Sequence, residues 1–300
     1  MDMRAVAAGL AFAVMWSSAF TSARMIVEDV SPLMALAFRY LISGLLGVIV
    51  ARMLGQSWHL TPAQWRATIV FGILQNGVYL GLNFVAMQTI EASLAAIIAS
   101  TMPLLVALAG WVFLKDRVPA LGIAGLIAGF AGVAIIMGAR LGGDIDLFGL
   151  ALCGIGVLAL TIATLMVRGA TSGGNFLMVV GLQMLVGCLV LSLAAVAFET
   201  PRLNLTPQLA LAFAYTTLVP GLAATFVWFW LVDRIGATRA ATFHFLNPFF
   251  GVAIAALLLS ETLGPRDIFG VGIIAVGILA VQLSKQRSQV RQGNKVLSQP

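Results

Sequence analysis

Three hundred residues that are 61% hydrophobic and only 9% charged, with a mean hydropathy of +1.04, exclude a water-soluble domain, whose surface would be one continuous apolar patch. The net charge of +6 does not point to nucleic acid, because Lys and Arg are scattered at the ends of apolar segments rather than gathered in a patch. Both cysteines, Cys153 and Cys188, fall inside apolar runs and read as small buried hydrophobes, not as a disulfide or metal site.

About 20 apolar residues cross about 30 Å of hydrocarbon. On that criterion the chain predicts ten helices, near 5–26, 32–53, 64–88, 92–114, 119–138, 147–168, 175–198, 208–232, 237–259 and 267–284. Turn punctuation separates them: Ser31-Pro32, Thr61-Pro62, Val118-Pro119, Gly142-Gly143, Gly173-Gly174, Thr206-Pro207 and Gly264-Pro265. The first segment starts on Arg4 like a signal peptide, but it runs into Arg24 and Glu28-Asp29 without a small-residue cleavage site and reads as a retained helix. It carries Trp16, Ser17, Phe20 and Thr21, a mixed aromatic and hydroxyl face suited to a small molecule with apolar and polar parts, or to close helix packing.

Arg39 lies about 10 Å into the second helix at 1.5 Å per residue, deep enough to need a partner. Glu28, Asp29 or another outer carboxylate could supply it structurally, and a substrate carboxylate is the other candidate. The third helix has the clearest polar stripe: Gly72, Asn76, Tyr79 and Asn83 recur at i, i+4, i+7 and i+11, one face of a regular helix. Such a face is either the wall of a translocation path or interhelical hydrogen-bonding glue. Thr161 and Thr164 on the sixth helix are the counterparts of the hydroxyl face of the first. In the eighth helix Pro220-Gly221 predicts a kink and a candidate gate, followed by Trp228. The ninth holds His244, the intramembrane group that titrates near neutrality, and Pro248, which matches Pro103 of the fourth as a paired hinge. Residues 285–300 are polar and basic and read as a disordered cytoplasmic tail.

The chain repeats itself. Leu60-Thr61-Pro62 recurs as Leu205-Thr206-Pro207, and at the same offset of 145 residues Ile90, Ala92, Pro103, Gly125 and Gly132 meet Ile235, Ala237, Pro248, Gly270 and Gly277. The first two helices of each half align at 144, which sets Arg39 on Gln183. Five spans per copy force the second copy to insert upside down. The expected fold is therefore an all-α integral membrane protein of ten transmembrane helices in two inverted five-helix repeats, 1–143 and 144–284. With the N-terminus inside, twelve cationic side chains lie on the cytoplasmic side and four outside, as the positive-inside rule demands. Both termini are expected in the cytoplasm.

Absences narrow the chemistry. No Asp or Glu falls mid-helix, so a carboxylate proton relay or organic-cation site is not expected. There is no phosphate-binding glycine loop, no His/Cys metal cluster and no nucleophile triad, so neither an enzyme nor a cofactor is expected.

Trp16-Ser17-Ser18-Ala19-Phe20, Arg39 after Pro32, and the paired segments from Ala92 to Pro103 and from Ala237 to Pro248 resemble the EamA families of the drug/metabolite transporter superfamily. The resemblance covers the chain to about residue 284 and is strongest toward the YddG-type bacterial amino-acid exporters. It implies export of aromatic and other neutral amino acids across the inner membrane by alternating access around a central cavity. The bilayer and this small-molecule cargo are the expected partners, without nucleic acid. The expected substrate-facing residues are Trp16, Ser17, Phe20, Asn76, Tyr79, Asn83, Thr161, Thr164, Trp228 and His244, with Pro103, Pro220, Gly221 and Pro248 as hinge or gate. Efflux of another metabolite or a drug, proton-coupled through His244, is the alternative.

Overall fold

The computed structural model describes residues 3–140, 146–167 and 173–297. The Gly142-Gly143 turn expected from the sequence lies outside them. Ten helices reach membrane length: α1 Met3–Asp29, α2 Pro32–Met53, α3 Pro62–Ala86, α4 Ala92–Phe113, α5 Ala120–Arg140, α6 Leu147–Met166, α7 Phe176–Phe198, α8 Pro207–Ile235, α9 Ala237–Leu259 and α10 Pro265–Leu297. Large apolar side chains such as Val196 and Phe198 of α7 stand exposed, as befits a chain whose solvent is hydrocarbon. Helix α10 runs to Leu297, so the polar segment from 285, read as disordered, is helical through that residue. Gly293 is the sole helix breaker there, and an established helix adds residues more easily than it nucleates.

Several helix starts have a visible cause. Thr61 opens α3 with a reciprocal cap: its Oγ1 accepts from Gln64 N at 3.3 Å, and its own N–H donates to Gln64 Oε1 at 2.9 Å. In the recurrence of that tripeptide, Thr206 Oγ1 accepts from Leu209 N at 3.0 Å. Asp146 caps α6, accepting from Phe148 N at 2.9 Å and Gly149 N at 3.0 Å. The Thr89 hydroxyl, with those two backbone N–H groups, holds the Asp146 carboxyl below its ordinary value.

The membrane helices form two compact units that do not follow the two sequence halves. One comprises Ser22–Glu91 and Asp146–Leu222; the other comprises Met1–Thr21, Ala92–Ile145 and Ala223–Pro300. Each therefore draws on both copies of the repeat, because three equivalent pairs, α2 with α7, α4 with α9 and α5 with α10, pack together. In the first unit α2 packs along α7, and the two ends of the pair are clamped. Glu199, after α7, accepts from Leu33 N at 2.7 Å and Met34 N at 3.1 Å at the start of α2. Gln56, after α2, accepts from Met178 N at 3.0 Å at the start of α7. A carboxylate at a helix N-terminus meets both unpaired N–H groups and the positive end of the dipole.

In the second unit α5 packs along α10 through glycines. A Cβ on Gly125 would lie 2.7 Å from the Gly277 carbonyl, and one on Gly277 2.7 Å from the Gly125 carbonyl. Gly132 and Gly270 repeat the exchange at 2.8 and 3.0 Å. As α5 advances from 125 to 132 its partner retreats from 277 to 270, so the pair is antiparallel, and residues related by the 145 offset swap roles across it. Small residues permit this close approach. Beside the seam, Leu104, Leu126, Ile136, Ile274 and Ile278 form a buried apolar cluster. Glu261, after α9, caps the start of α4, accepting from Ala92 N at 2.7 Å and Ser93 N at 3.0 Å.

The helix irregularities recur at the same offset. A π-helical turn occupies Gly72–Tyr79 in α3 and Thr217–Ala223 in α8. Helix α4 breaks at Thr101 before Pro103, and α9 breaks through a 3₁₀ turn, Phe243–Leu246, before Pro248. Lys115 and Ser260, at the corresponding C-terminal ends, both turn left-handed, with φ of 55° and 57°.

Candidate functional site

The expected site residues gather in two groups, one in each compact unit. In the first unit the π turn of α3 divides the polar stripe. A π turn takes more residues per turn than an α-helix, so positions spaced for one regular face rotate apart. Asn76 faces α2 and α7: its Oδ1 accepts from the Tyr40 hydroxyl at 3.3 Å and its Nδ2 donates to the Gln183 carbonyl at 3.0 Å. Asn83 faces α6, accepting from Cys153 Sγ at 3.4 Å, while its Nδ2 donates to the Tyr79 carbonyl at 2.8 Å. Each asparagine sits over a glycine of its neighbour. A Cβ on Gly187 would come within 2.4 Å of Asn76 Cβ, and one on Gly156 within 2.8 Å of Asn83 Nδ2. The single face expected for Gly72, Asn76, Tyr79 and Asn83 is thus two faces, and the asparagine side chains are engaged by protein groups.

Tyr79 is buried, and its hydroxyl makes no hydrogen bond among the described residues. Thr161 and Thr164 on α6 turn their hydroxyls back to the carbonyls of Val157 and Leu160, both at 2.8 Å. In α8, Pro220 cannot donate to the carbonyl four residues earlier. The π register answers this by bringing Gly221, five residues on, to Thr216: a Cβ on Gly221 would lie 3.1 Å from that oxygen.

Arg39 is the side chain whose weight the sequence underrated. It is 8% exposed, and among the described residues it has neither a carboxylate partner nor a hydrogen bond; its Nε is a buried donor without an acceptor. The structural pairing named as one candidate for it is therefore absent among the described residues. Glu28 lies 3.9 Å from Arg24, Asp29 accepts from Thr206 Oγ1 at 2.6 Å, and Glu199 serves the start of α2. These three acids are committed to helix ends and loops.

In the second unit Phe12, Trp16, Trp228 and His244 form an aromatic cluster. The Phe12 ring lies 5.6 Å from Trp16, 5.1 Å from Trp228 and 5.2 Å, edge-on, from His244, whose ring is also 6.1 Å from Trp16 and 5.2 Å from Trp228. Such tilted and T-shaped pairs are favourable geometries. Asn247 Nδ2 lies 2.9 Å from His244 Nδ1, and the Ser17 hydroxyl donates to the Asn247 carbonyl at 3.3 Å. Asn247 Oδ1 is buried without a partner. Trp16, Ser17, Trp228 and His244 are thus brought together, with Phe12 and Asn247 as members that sequence reasoning missed. Phe12 lies one turn before Trp16, and that spacing was the available signal. Phe20 is half-buried and has no ring partner among the described residues.

Among the described residues, ten membrane-length helices, three equivalent pairs packed antiparallel, buried polar groups and no cluster of metal-ligating side chains define a multi-pass membrane protein. The chain belongs to the EamA-like transporter family, whose model matches it twice, over residues 3–138 and 147–283. It is similar to the uncharacterized transporter YvbV of Bacillus subtilis (strain 168), 26% identical over 93% of this chain and 92% of that one. An uncharacterized transporter of Archaeoglobus fulgidus is 25% identical over 89% and 94%, and protein PecM of Dickeya dadantii (strain 3937) is 23% identical over 92% of each. A crystal structure of a protein 18% identical superposes with a TM-score of 0.66, over 96% of this chain and 99% of that one; that likeness carries the fold alone. The protein is a transporter.

Proposed function

We propose that this transporter is a secondary exporter of neutral amino acids, aromatic ones included, in the bacterial inner membrane. It works by alternating access between two inverted five-helix repeats, 1–143 and 144–284, with both termini cytoplasmic. The observation that carries the mechanism is the recurrence of helix-weakening devices at one offset: π turns in α3 and α8, and proline breaks in α4 and α9. Such matched weak points let equivalent helices exchange conformations. Pro103, Pro220, Gly221 and Pro248 are the hinge residues of this reading, and the reciprocal glycine seam of α5 and α10 supports the inversion.

The cargo follows from the side chains. Aromatic rings beside an amide and an imidazole suit an aromatic or apolar side chain, and no mid-helix carboxylate favours a cation. Proteoliposomes with the purified full chain should pass labelled neutral amino acids faster than empty liposomes. Equal rates across a broad panel would refute the reading. The aromatic cluster around His244 also favours a second reading, efflux of another small metabolite or drug coupled to protons at that residue. Uptake of such compounds that rises with an imposed pH gradient, and is lost in His244→Gln, would select it.

A further inference from the structure

We infer that Arg39 is the residue that receives the carboxylate of the cargo; the inference rests on the amino-acid reading and gives its zwitterion an anchor. Arg39 is 8% exposed and lacks an acidic partner among the described residues. The Tyr40 ring lies on one side, 5.4 Å from the guanidinium carbon. On another lies the π turn of α8: a Cβ on Gly221 would be 3.2 Å from Nη2 and 3.9 Å from Nε. The Nε–Nη2 edge is one that grips a carboxylate through two parallel hydrogen bonds. Here it abuts a residue with no side chain, in a segment whose backbone register is already disturbed. A guanidinium held in a membrane interior without a counter-charge is costly. A structural role would show an acid or a set of acceptors around it, and among the described residues Nε has neither. The matching position in the other repeat is Gln183, so the charge belongs to one half alone, as recognition of a single charged group requires.

The test uses the full chain in proteoliposomes, with labelled phenylalanine as probe and phenylalaninamide and 3-phenylpropionate as competitors. Wild type should be inhibited by 3-phenylpropionate and much less by the amide, which lacks the carboxylate. Arg39→Gln should lose about ten- to a hundred-fold in apparent affinity, with Arg39→Lys partly restoring it. The thermal midpoint of Arg39→Gln should stay level or rise, since an uncompensated buried charge has been removed. Unchanged affinity in Arg39→Gln, or equal inhibition by acid and amide, would overturn the inference. So would a marked fall in midpoint with affinity intact, which marks a structural arginine. If wild type moves no amino acid yet 3-phenylpropionate raises its midpoint and not that of Arg39→Gln, the amino-acid reading fails and the carboxylate site stands.

Discussion

A single methyl group at Gly277 tests the packing of α5 against α10. In Gly277→Ala the new Cβ would lie 2.6 Å from Gly129 N and 2.7 Å from both Gly129 Cα and the Gly125 carbonyl. All three are backbone atoms, so no side-chain rotation relieves the clash. Ordinary contact begins near 3.4 Å, and the helices must separate by about 0.8 Å. A gap of that size forfeits a quarter to a half of each dispersion contact it opens, and overpacking of a tight core costs about 1–3 kcal/mol. Against this, alanine in a helix gains about 0.5–1 kcal/mol over glycine. The net loss is roughly 1–2 kcal/mol. Thermal unfolding of the purified protein in detergent checks it against Gly272→Ala, on the same helix, where a Cβ meets nothing within 4 Å. The control should be neutral or stabilised. A Gly277→Ala midpoint no lower than that of Gly272→Ala would refute the reasoning, and Gly132→Ala, facing the Gly270 carbonyl at 2.8 Å, should repeat the loss.

Glu199→Ala and Glu261→Ala each remove a carboxylate bridging two N–H groups at a helix start; each should cost about 2 kcal/mol, with the glutamine variants intermediate in thermal midpoint. Asn76→Leu strands the Tyr40 hydroxyl and the Gln183 carbonyl and should destabilise by about 1–3 kcal/mol, measured by the same unfolding assay. The folded state depresses the Asp146 carboxyl, so its stabilising effect is present above the ordinary aspartate value of about 3.8 and is lost as pH falls below it. The midpoint difference between wild type and Asp146→Asn, clear at pH 7, should close toward pH 3. Since no acid occupies mid-helix, amino-acid flux should not respond to an imposed pH gradient, in wild type or in His244→Gln; a gradient-dependent rate abolished by that substitution would contradict this.

Much of the architecture was legible in the residues. Ten apolar stretches, each cut by Pro, Gly or a Thr-Pro start, place the helices because a span in hydrocarbon must satisfy its own backbone. Their observed limits depart mainly at ends, as where α1 starts at Met3 and α8 runs on to Ile235. The asparagine pair shows why the site was harder to read. Asn76 and Asn83 share a face only while the helix keeps 3.6 residues per turn, and nothing in Gly72–Tyr79 announces a π turn. In α8 the same turn is announced by Pro220.

Local sequence thus determined helix, cap and break, each set within a few residues of its position, as at Thr61, Pro103 and Pro248, and comparison along the chain gave the 145-residue repeat. Tertiary structure alone decided which acid serves which end. Glu199 and Glu261 reach helix starts more than 160 residues away, and with Glu199 and Asp29 so committed in its own unit, Arg39 is left without an acidic partner among the described residues. Partner choice is a property of distances between helices, and those are set by packing small residues such as Gly125 and Gly277, not by any pattern along one segment.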